Sequence, residues 1–303
     1  MITFKQITAA DYEIVKRLDN ASFKKGTLFR SAENIANLAL VDPEGCLLCL
    51  DGGKPVGFIF CRTHGSIGYI GPLGIDPNVQ NKGYGKLTVA AGIDYLQKRK
   101  CEVIGLETMP EWGKNIGLYH KQGFRVTLPG RVMEKIMPIP GTDPKLPEQM
   151  RLGSNFSKDK IKTVLAVVKN WTGAIYPGCD FSRDLQHFIE HYPERILFVF
   201  DNKSQEVAGF LAFHPEFNRY AWGAVKPGGS DRELLLKLLN TVEELNWSPK
   251  LTFRFQTRFT RVTDALMECG YQLHSDTTCM VHQNHSGQYN STSEALLLRP
   301  WVG

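Results

Sequence analysis

The chain has no run approaching 18 consecutive apolar residues, so nothing in it reads as a membrane-spanning helix. It lacks the apolar stretch of a secretory signal after Met1-Ile2-Thr3-Phe4-Lys5, and the expectation is a cytoplasmic protein. Its Asn-x-Ser/Thr sequences then read as chance. Charge of one sign is scarce: 36 Lys and Arg against 31 Asp and Glu leave +5. The basic residues are scattered, and the densest run, Lys98-Arg99-Lys100, reads as a solvated helix end. A nucleic-acid binder would concentrate them in a patch, so no nucleic-acid partner is expected, and the mild excess suits an anionic small molecule. An even cysteine set is also missing. The seven, at 46, 49, 61, 101, 179, 269 and 279, read as reduced and buried thiols rather than a disulfide scaffold. Cys46 and Cys49 make a C-x-x-C pattern, but the alternation of Leu47, Leu48 and Leu50 around them makes this a strand. With 42% hydrophobic and 22% charged residues the chain can bury a proper core. Its 303 residues suggest two domains.

A Pro-rich stretch, Met137 to Pro147, holds four prolines in eleven residues. Prolines interrupt helices and sheet ladders, so 137–149 reads as an interdomain linker. Its two flanks echo each other. Lys54-Pro55-Val56-Gly57-Phe58-Ile59-Phe60 is matched by Glu206-Val207-Ala208-Gly209-Phe210-Leu211-Ala212. Leu118-Tyr119-His120-Lys121-Gln122-Gly123-Phe124 is matched by Leu266-Met267-Glu268-Cys269-Gly270-Tyr271. Gly57 and Gly209 stand 152 residues apart, Gly123 and Gly270 147 apart. Such near-constant spacing predicts an internal duplication, with five residues lost from the second copy. The expected domains are 1–136 and 150–303.

In the first half, strands are predicted at Ile2–Gln6, Cys46–Leu50, Val56–Thr63, Ser66–Ile75 and Val103–Thr108, with closing strands at Phe124–Val126 and Arg131–Met137. Helices are predicted at 11–18, at 32–40 behind an N-cap Ser31, at 86–98 and at 114–121. The turn Asp51-Gly52-Gly53-Lys54 is a hairpin signal. In the helix 86–98, Ala90, Ala91 and Tyr95 near Leu87 are the expected apolar face. The pattern predicts an α/β fold: a mixed central sheet with flanking helices, built twice in tandem.

The chemistry is carried by Leu73-Gly74-Ile75-Asp76-Pro77-Asn78-Val79-Gln80-Asn81-Lys82-Gly83-Tyr84-Gly85-Lys86. A strand ends, the chain turns, and two glycines stand at the mouth of a helix. Glycines there let backbone N–H groups close on a ligand, and a helix start adds unpaired donors and a positive dipole end. From the residues alone this is either a phosphate cradle or a plain glycine-rich turn. It is neither a P-loop nor the dinucleotide fingerprint, whose third glycine is replaced by Thr88.

Gln80-Asn81-Lys82-Gly83-Tyr84-Gly85 resembles the Q/R-x-x-G-x-G/A acetyl-CoA loop of the GNAT acetyltransferases. Asn115-Ile116-Gly117-Leu118-Tyr119, followed by Gly123-Phe124, resembles the second signature of that family. The resemblance covers residues 1–136 well and 150–285 weakly. It implies the GNAT (acyl-CoA N-acyltransferase) fold and acetyl-CoA as cosubstrate, with no metal. Backbone groups of Leu73, Gly74 and Ile75 would hold the pantetheine arm as an added strand does. A bulge in 71–74 would part that strand from Val103–Thr108. The N–H groups of Gln80, Asn81, Lys82, Gly83, Tyr84, Gly85 and Lys86 would hold the pyrophosphate, and Asn115 would bond the cofactor arm. Tyr119 would protonate the departing thiolate; without the motif it reads as a core aromatic. For the base that deprotonates the amine, Glu107 and Glu111 are the candidates, with Asp76, His120 and a water chain as alternatives.

The implied activity is N-acetyl transfer from acetyl-CoA to an amine, on a small molecule by preference or on a peptide or protein. The alternative from another class is a CoA-binding regulatory or scaffold protein without turnover. In the second half, Lys226-Pro227-Gly228-Gly229-Ser230-Asp231-Arg232 stands where the loop should be, and Leu266 where Tyr119 should be. Proline lacks an N–H, Asp231 repels a pyrophosphate, and leucine donates no proton. This reads as a degenerate repeat that shapes the acceptor pocket or makes a homodimer contact. His187-Phe188-Ile189-Glu190-His191 matches a zinc-hydrolase pattern, H-x-x-E-H, but Pro193 ends that helix and nothing accompanies it.

Overall fold

The computed structural model describes residues 1–23, 30–137, 145–175, 177–213, 220–228, 231–286 and 297–298. Most of the predicted linker, 138–144, lies outside the described residues, as do Gly229 and Ser230 of the second loop. In chain order the elements are β1 (Ile2–Gln6), α1 (Tyr12–Ser22), α2 (Ala32–Val41), β2 (Cys46–Asp51), β3 (Lys54–His64), β4 (Ile67–Ile75), α3 (Tyr84–Lys98), β5 (Val103–Thr108), α4 (Gly113–Lys121), β6 (Phe124–Val126) and β7 (Gly130–Ile136). There follow β8 (Met150–Leu152), α5 (Lys158–Ile175), α6 (Ser182–His191), β9 (Ile196–Phe200), β10 (Val207–Phe213), β11 (Tyr220–Val225), α7 (Asp231–Leu245), β12 (Lys250–Gln256), α8 (Thr260–Glu268), β13 (Gln272–Ser286) and β14 (Leu297–Leu298). No described helix is long and apolar enough to cross a membrane.

The chain forms two units. Of the described residues, one comprises those of 1–127 with 278–286; the other comprises those of 128–277 with Leu297–Leu298. In the first unit β1 to β4 run antiparallel, each to the next, and β4 lies parallel to β5. Residues 278–286 of β13 then pair with β5 on one side and with β6 on the other. In the second unit the order is β8, β9, β10, β11, β12, then β7, then residues 272–277 of β13. The strand over Gly130–Ile136, read in the sequence as the close of the first domain, therefore belongs to the second unit. The closing strand of the second copy completes the first. The boundary expected near 136 differs for a physical reason. Alternation along a strand reports which face is apolar, not which of two similar sheets it joins.

Local chemistry explains the elements. Ser31 caps α2: the Asn34 N–H donates to Ser31 Oγ at 3.0 Å, and the Ser31 N–H donates to Asn34 Oδ1 at 3.0 Å. Gly52 and Gly53 take φ of +54° and +85°, the double left-handed turn that joins twisted hairpin strands. α3 buries Thr88, Val89, Gly92, Ile93 and Leu96. The face expected from Ala90, Ala91 and Tyr95 is not the buried one, and Leu87 is exposed. Close approach decides this: a Cβ on Gly92 would stand 2.7 Å from Ile59 Cδ1.

The duplication is visible in the pairing. Between β2 and β3 the register slips at Val56; between β9 and β10 it slips at Ala208, the corresponding residue. α3 and α7 both have 15 residues, and α4 and α8 both have nine. Gly123 and Gly270, which follow the shorter helices, have φ of +91° and +82°.

Candidate active site

β4 pairs with β5 from Ile67 opposite Val103 to Ile70 opposite Leu106, and there the ladder stops. On its other side β4 is bulged. Ile59 faces Leu73 and Cys61 faces Ile70, so Gly71 and Pro72 together oppose Phe60. Gly71, at φ +142°, and Pro72, which has no N–H, are the residues that let the strand leave the ladder. Leu73, Gly74 and Ile75 thus run beside β3 with no partner rung on β5. At Gly74 a Cβ would meet Phe58 Cε1 at 2.5 Å and Ser22 Oγ at 2.7 Å, so only glycine fits.

The loop after β4 is held from within. Asp76 Oδ1 accepts the Asn78 N–H at 2.9 Å. Gln80 Nε2 donates to the Ile75 carbonyl at 3.1 Å, and Lys114 Nζ donates to Gln80 Oε1 at 3.1 Å. Asn81 and Gly83 take φ of +65° and +88°. α3 opens at Tyr84 with no side-chain cap on Gly83, and its first backbone bond runs from Leu87 N–H to the Gly83 carbonyl. The amides of Tyr84, Gly85 and Lys86 therefore have no intrahelical acceptor and stand at the positive end of a helix dipole. The Tyr84 side chain is used elsewhere: its hydroxyl donates to Asp51 Oδ2 at 2.6 Å. That bond raises the phenol pKa and lowers that of the carboxyl.

A cleft of about 510 Å³ joins these parts. Leu73, Gly74, Ile75, Gln80, Asn81, Gly83, Gly85, Lys86 and Asn115 line it, and so does Glu111. Lys82 and Tyr84, Tyr119 and Glu107 are not among its lining residues. Sequence reasoning missed Ser22, Phe23, Trp112, Lys114 and Leu118 on its wall. Trp112, immediately before Gly113, was the available signal. Its ring meets that of Phe23 at 6.1 Å. The Arg30 guanidinium lies 5.4 Å from the Phe23 centroid and pairs with buried Asp19 at 2.7 Å. Burial pushes the Asp19 carboxyl up despite that partner.

Tyr119 stands one helical turn after Asn115 on α4 and next to Leu118. It packs among Ile59, Val89, Leu106 and Phe124, edge-on to Phe124 at 6.2 Å. Burial pushes its phenol up to about 12, because the phenolate would lose its water. Glu107 lies one residue past the last rung between β4 and β5, and Glu107 Oε2 accepts the Tyr69 hydroxyl at 3.3 Å. Glu111 is exposed at the rim of the cleft, and His120 is exposed on α4.

In the second unit Leu266, at the position of Tyr119 in its helix, is fully buried. His187 and His191 stack at 4.3 Å on α6. Among the described residues no group of three or more His, Cys, Asp or Glu is placed to hold a metal ion. Cys46 is buried and donates its thiol to the Asp42 carbonyl at 3.3 Å.

Residues 12–124 match the acetyltransferase (GNAT) family. A mycothiol acetyltransferase of Pseudarthrobacter chlorophenolicus is 34% identical over 90 residues, covering 27% of this chain and 28% of that protein. The chain thus spans under a third of the length of that curated relative. Among solved structures, a putative acetyltransferase from Pyrococcus horikoshii superimposes with a TM-score of 0.65 at 15% identity, covering 98% of this chain and 94% of that one. A tandem GNAT protein from the clavulanic acid biosynthesis pathway gives a TM-score of 0.57 at 13% identity, covering 93% and 98%. At these identities the structural likeness is one of fold, and it extends over both halves of the chain.

Proposed function

We propose that the GNAT domain carried by residues 12–124 transfers the acetyl group of acetyl-CoA to an amine of a small molecule. The observation that carries this reading is the cleft itself. It runs from strand edge Leu73–Ile75, left without a β5 partner, to the bare amides at the start of α3 and to Asn115 on α4. A pantetheine arm is a chain of amides, and an unpaired strand edge can bond it as it would bond a strand. A pyrophosphate suits uncapped helix amides. In this reading the N–H groups of Asn81 to Lys86 bind the phosphates, with the Lys86 charge beside them, and Asn115 bonds the arm. The lining supports Gln80 as a brace for the loop, tied to Ile75 and Lys114, more than as a direct donor.

For the chemical step, the amine attacks the thioester carbonyl, a tetrahedral oxyanion forms, and the CoA thiolate leaves. Tyr119 is the proposed donor to that thiolate. A phenol held near 12 stays protonated at any working pH, so it always carries a hydroxyl that can hydrogen-bond the departing thiolate. Glu107, at the parting of β4 and β5 and bonded by Tyr69, is the proposed acceptor of the amine proton; Glu111, on the rim, is the other candidate. The mycothiol acetyltransferase relatives support a small-molecule acceptor. One observation favours the second reading, a CoA-binding module without turnover: the Tyr119 side chain is packed in the core rather than on the cleft wall.

Release of free thiol from acetyl-CoA over a panel of small amines, peptides and amino sugars tests the proposal. Turnover with a small amine is the expected outcome. Acetyl-CoA at about 100 times its dissociation constant should also stabilise the protein by about 2.7 kcal/mol, several degrees in melting temperature. Stabilisation without turnover on any amine would select the binding module; no stabilisation at millimolar acetyl-CoA would remove the cofactor assignment.

A further inference from the structure

The second unit repeats the frame of the first, so each part of the cleft has a locatable counterpart. Gly57 faces Ile75 in the first unit and Gly209 faces Val225 in the second. Gly223 and Ala224 therefore hold the places of Leu73 and Gly74. Helices of equal length start at Tyr84 and Asp231, and again at Gly113 and Thr260. Arg261 then corresponds to Lys114, and Val262 to Asn115.

Both ends of this second groove are filled by the chain itself. At the phosphate end, Asp231 is 3% exposed at the first position of α7. Its carboxylate accepts the Arg232 N–H at 2.8 Å and two bonds from the Arg261 guanidinium, each at 2.6 Å. A carboxylate thus already accepts one of the amides at the start of α7, and the Arg261 cation that could have met a phosphate is engaged. Along the arm, β11 pairs with β12 only at Tyr220–Thr252 and Ala221–Phe253 and then parts from it, as β4 parts from β5. Beyond the parting, β14 is paired antiparallel with β11: Leu298 faces Gly223 and Leu297 faces Ala224. A strand of this chain occupies the edge along which the first unit would hold pantetheine. β10 and β11 pair without the bulge of the first copy, so β11 keeps the regular edge that strand addition needs.

We propose that the second cofactor groove has become a strand-docking groove whose occupant is the segment Leu297–Leu298, with Asp231 closing its anion seat. The second repeat holds the late segment of the chain and takes no CoA. The inference rests on the reading of the first cleft as a CoA groove only for the equivalence; its main test does not involve CoA.

Hydrogen exchange on the full chain supplies that test. Amides along Trp222–Val225 should exchange on the order of 10-fold more slowly in the wild type than in Leu297→Pro/Leu298→Pro, whose prolines cannot donate to a neighbouring strand. Protection along Lys250–Gln256 should be the same in both. Equal exchange along Trp222–Val225 overturns the proposal. A second measurement avoids a folding defect: in a full chain carrying Ala224→Cys and Leu297→Cys, which face each other in the register, mild oxidation should link the two, and no linked peptide overturns the docking. CoA added to the wild type should leave exchange along Trp222–Val225 unchanged; a CoA that alters it shows a groove open to cofactor and also overturns the proposal. Intact docking with no CoA bound anywhere would support it and reject the reading of the first cleft.

Discussion

The starts of α3 and α7 occupy the same place in two copies of one frame, yet they meet opposite needs. At α3 the preceding residue is Gly83, left-handed and without a capping side chain, and a Cβ there would meet nothing within 4 Å. The helix amides face open space. At α7 the first residue is Asp231, buried, and its own carboxylate satisfies the amide beside it. The same contrast repeats along the sheet. The edge Leu73–Ile75 follows a bulge and lines a cleft, whereas Gly223 and Ala224 follow regular pairing and carry β14. It repeats again on the short helix, where Asn115 and Tyr119 give way to Val262 and Leu266, both fully buried. Each polar or vacant element of the first copy is replaced in the second by a group that satisfies itself. At the start of α7 and along β11, the second copy places a carboxylate and a strand where the first leaves amides and a strand edge unpaired.

The most damaging way to break this contrast is to give the first copy the charge of the second. Gly83→Glu places a carboxylate at the mouth of α3. A carboxylate about 4 Å from a phosphate charge repels it by about 4 kcal/mol near a protein surface, so CoA affinity should fall on the order of 10³-fold, read by calorimetric titration. Some strain comes with it, since φ of +88° disfavours any side chain. Gly83→Ala controls for that and should retain most of the affinity. Normal binding by the Glu variant would show that the cradle lies elsewhere.

Much of this frame was legible in the sequence, and the reasons differ by element. The hairpin at Gly52 and Gly53, the cap at Ser31 and the left-handed Gly123 and Gly270 are local devices with local signatures. The uncapped helix start at Gly83 was legible because a glycine takes the left-handed backbone that other residues disfavour. The exchange of closing strands was not, because neither Gly130–Ile136 nor residues 278–286 carry a local signature of the sheet they join. The wall residues Ser22 and Phe23 were not legible either. They reach the cleft from the end of α1, where Ser22 Oγ donates to the Ile75 carbonyl at 3.2 Å, a tertiary placement with no motif of its own. Asp231 was read as a repelling charge; its pairing with Arg261, thirty residues on, needed the fold.

A second test removes the proposed proton donor alone. Tyr119→Phe keeps the ring that packs on Phe124 and should lower kcat about 10²-fold with a smaller change in affinity for acetyl-CoA. Leu266→Phe, the matching change in the other copy, should leave kcat unaltered. Near-wild-type turnover by Tyr119→Phe would move the acid role to another group.

The third test loosens the copy that satisfies itself. Asp231→Ala removes a bidentate partner from Arg261 and the acceptor of the Arg232 N–H. Arg261 is partly exposed and can regain water, so the loss should be about 2 kcal/mol in urea unfolding rather than the full cost of a buried pair. Hydrogen exchange should place that loss at the start of α7, with α3 unaffected. Equal loosening of α3 would mean that the two copies do not respond separately.

The smallest effect concerns the proton itself. Tyr119 is held near 12 in the folded protein by burial, whereas an unfolded tyrosine titrates near 10. Between those values the folded state keeps a proton that the unfolded state has released. Stability therefore falls as pH rises through that window, and this contribution is fully present below pH 10. Tyr119→Phe has no such proton, so the wild type should lose about 1 kcal/mol relative to it between pH 8 and pH 11 in urea unfolding. Other buried phenols, Tyr95 and Tyr271 among them, are common to both proteins and cancel in the difference. Leu266→Phe should show no pH-dependent difference from the wild type over the same range, since neither side chain titrates. A flat difference for Tyr119→Phe would mean that the phenol is reached by water in the folded protein. Tyr119 would then stand at the cleft rather than in the core, and the alkaline limb of the rate profile would begin near pH 10 instead of near 12.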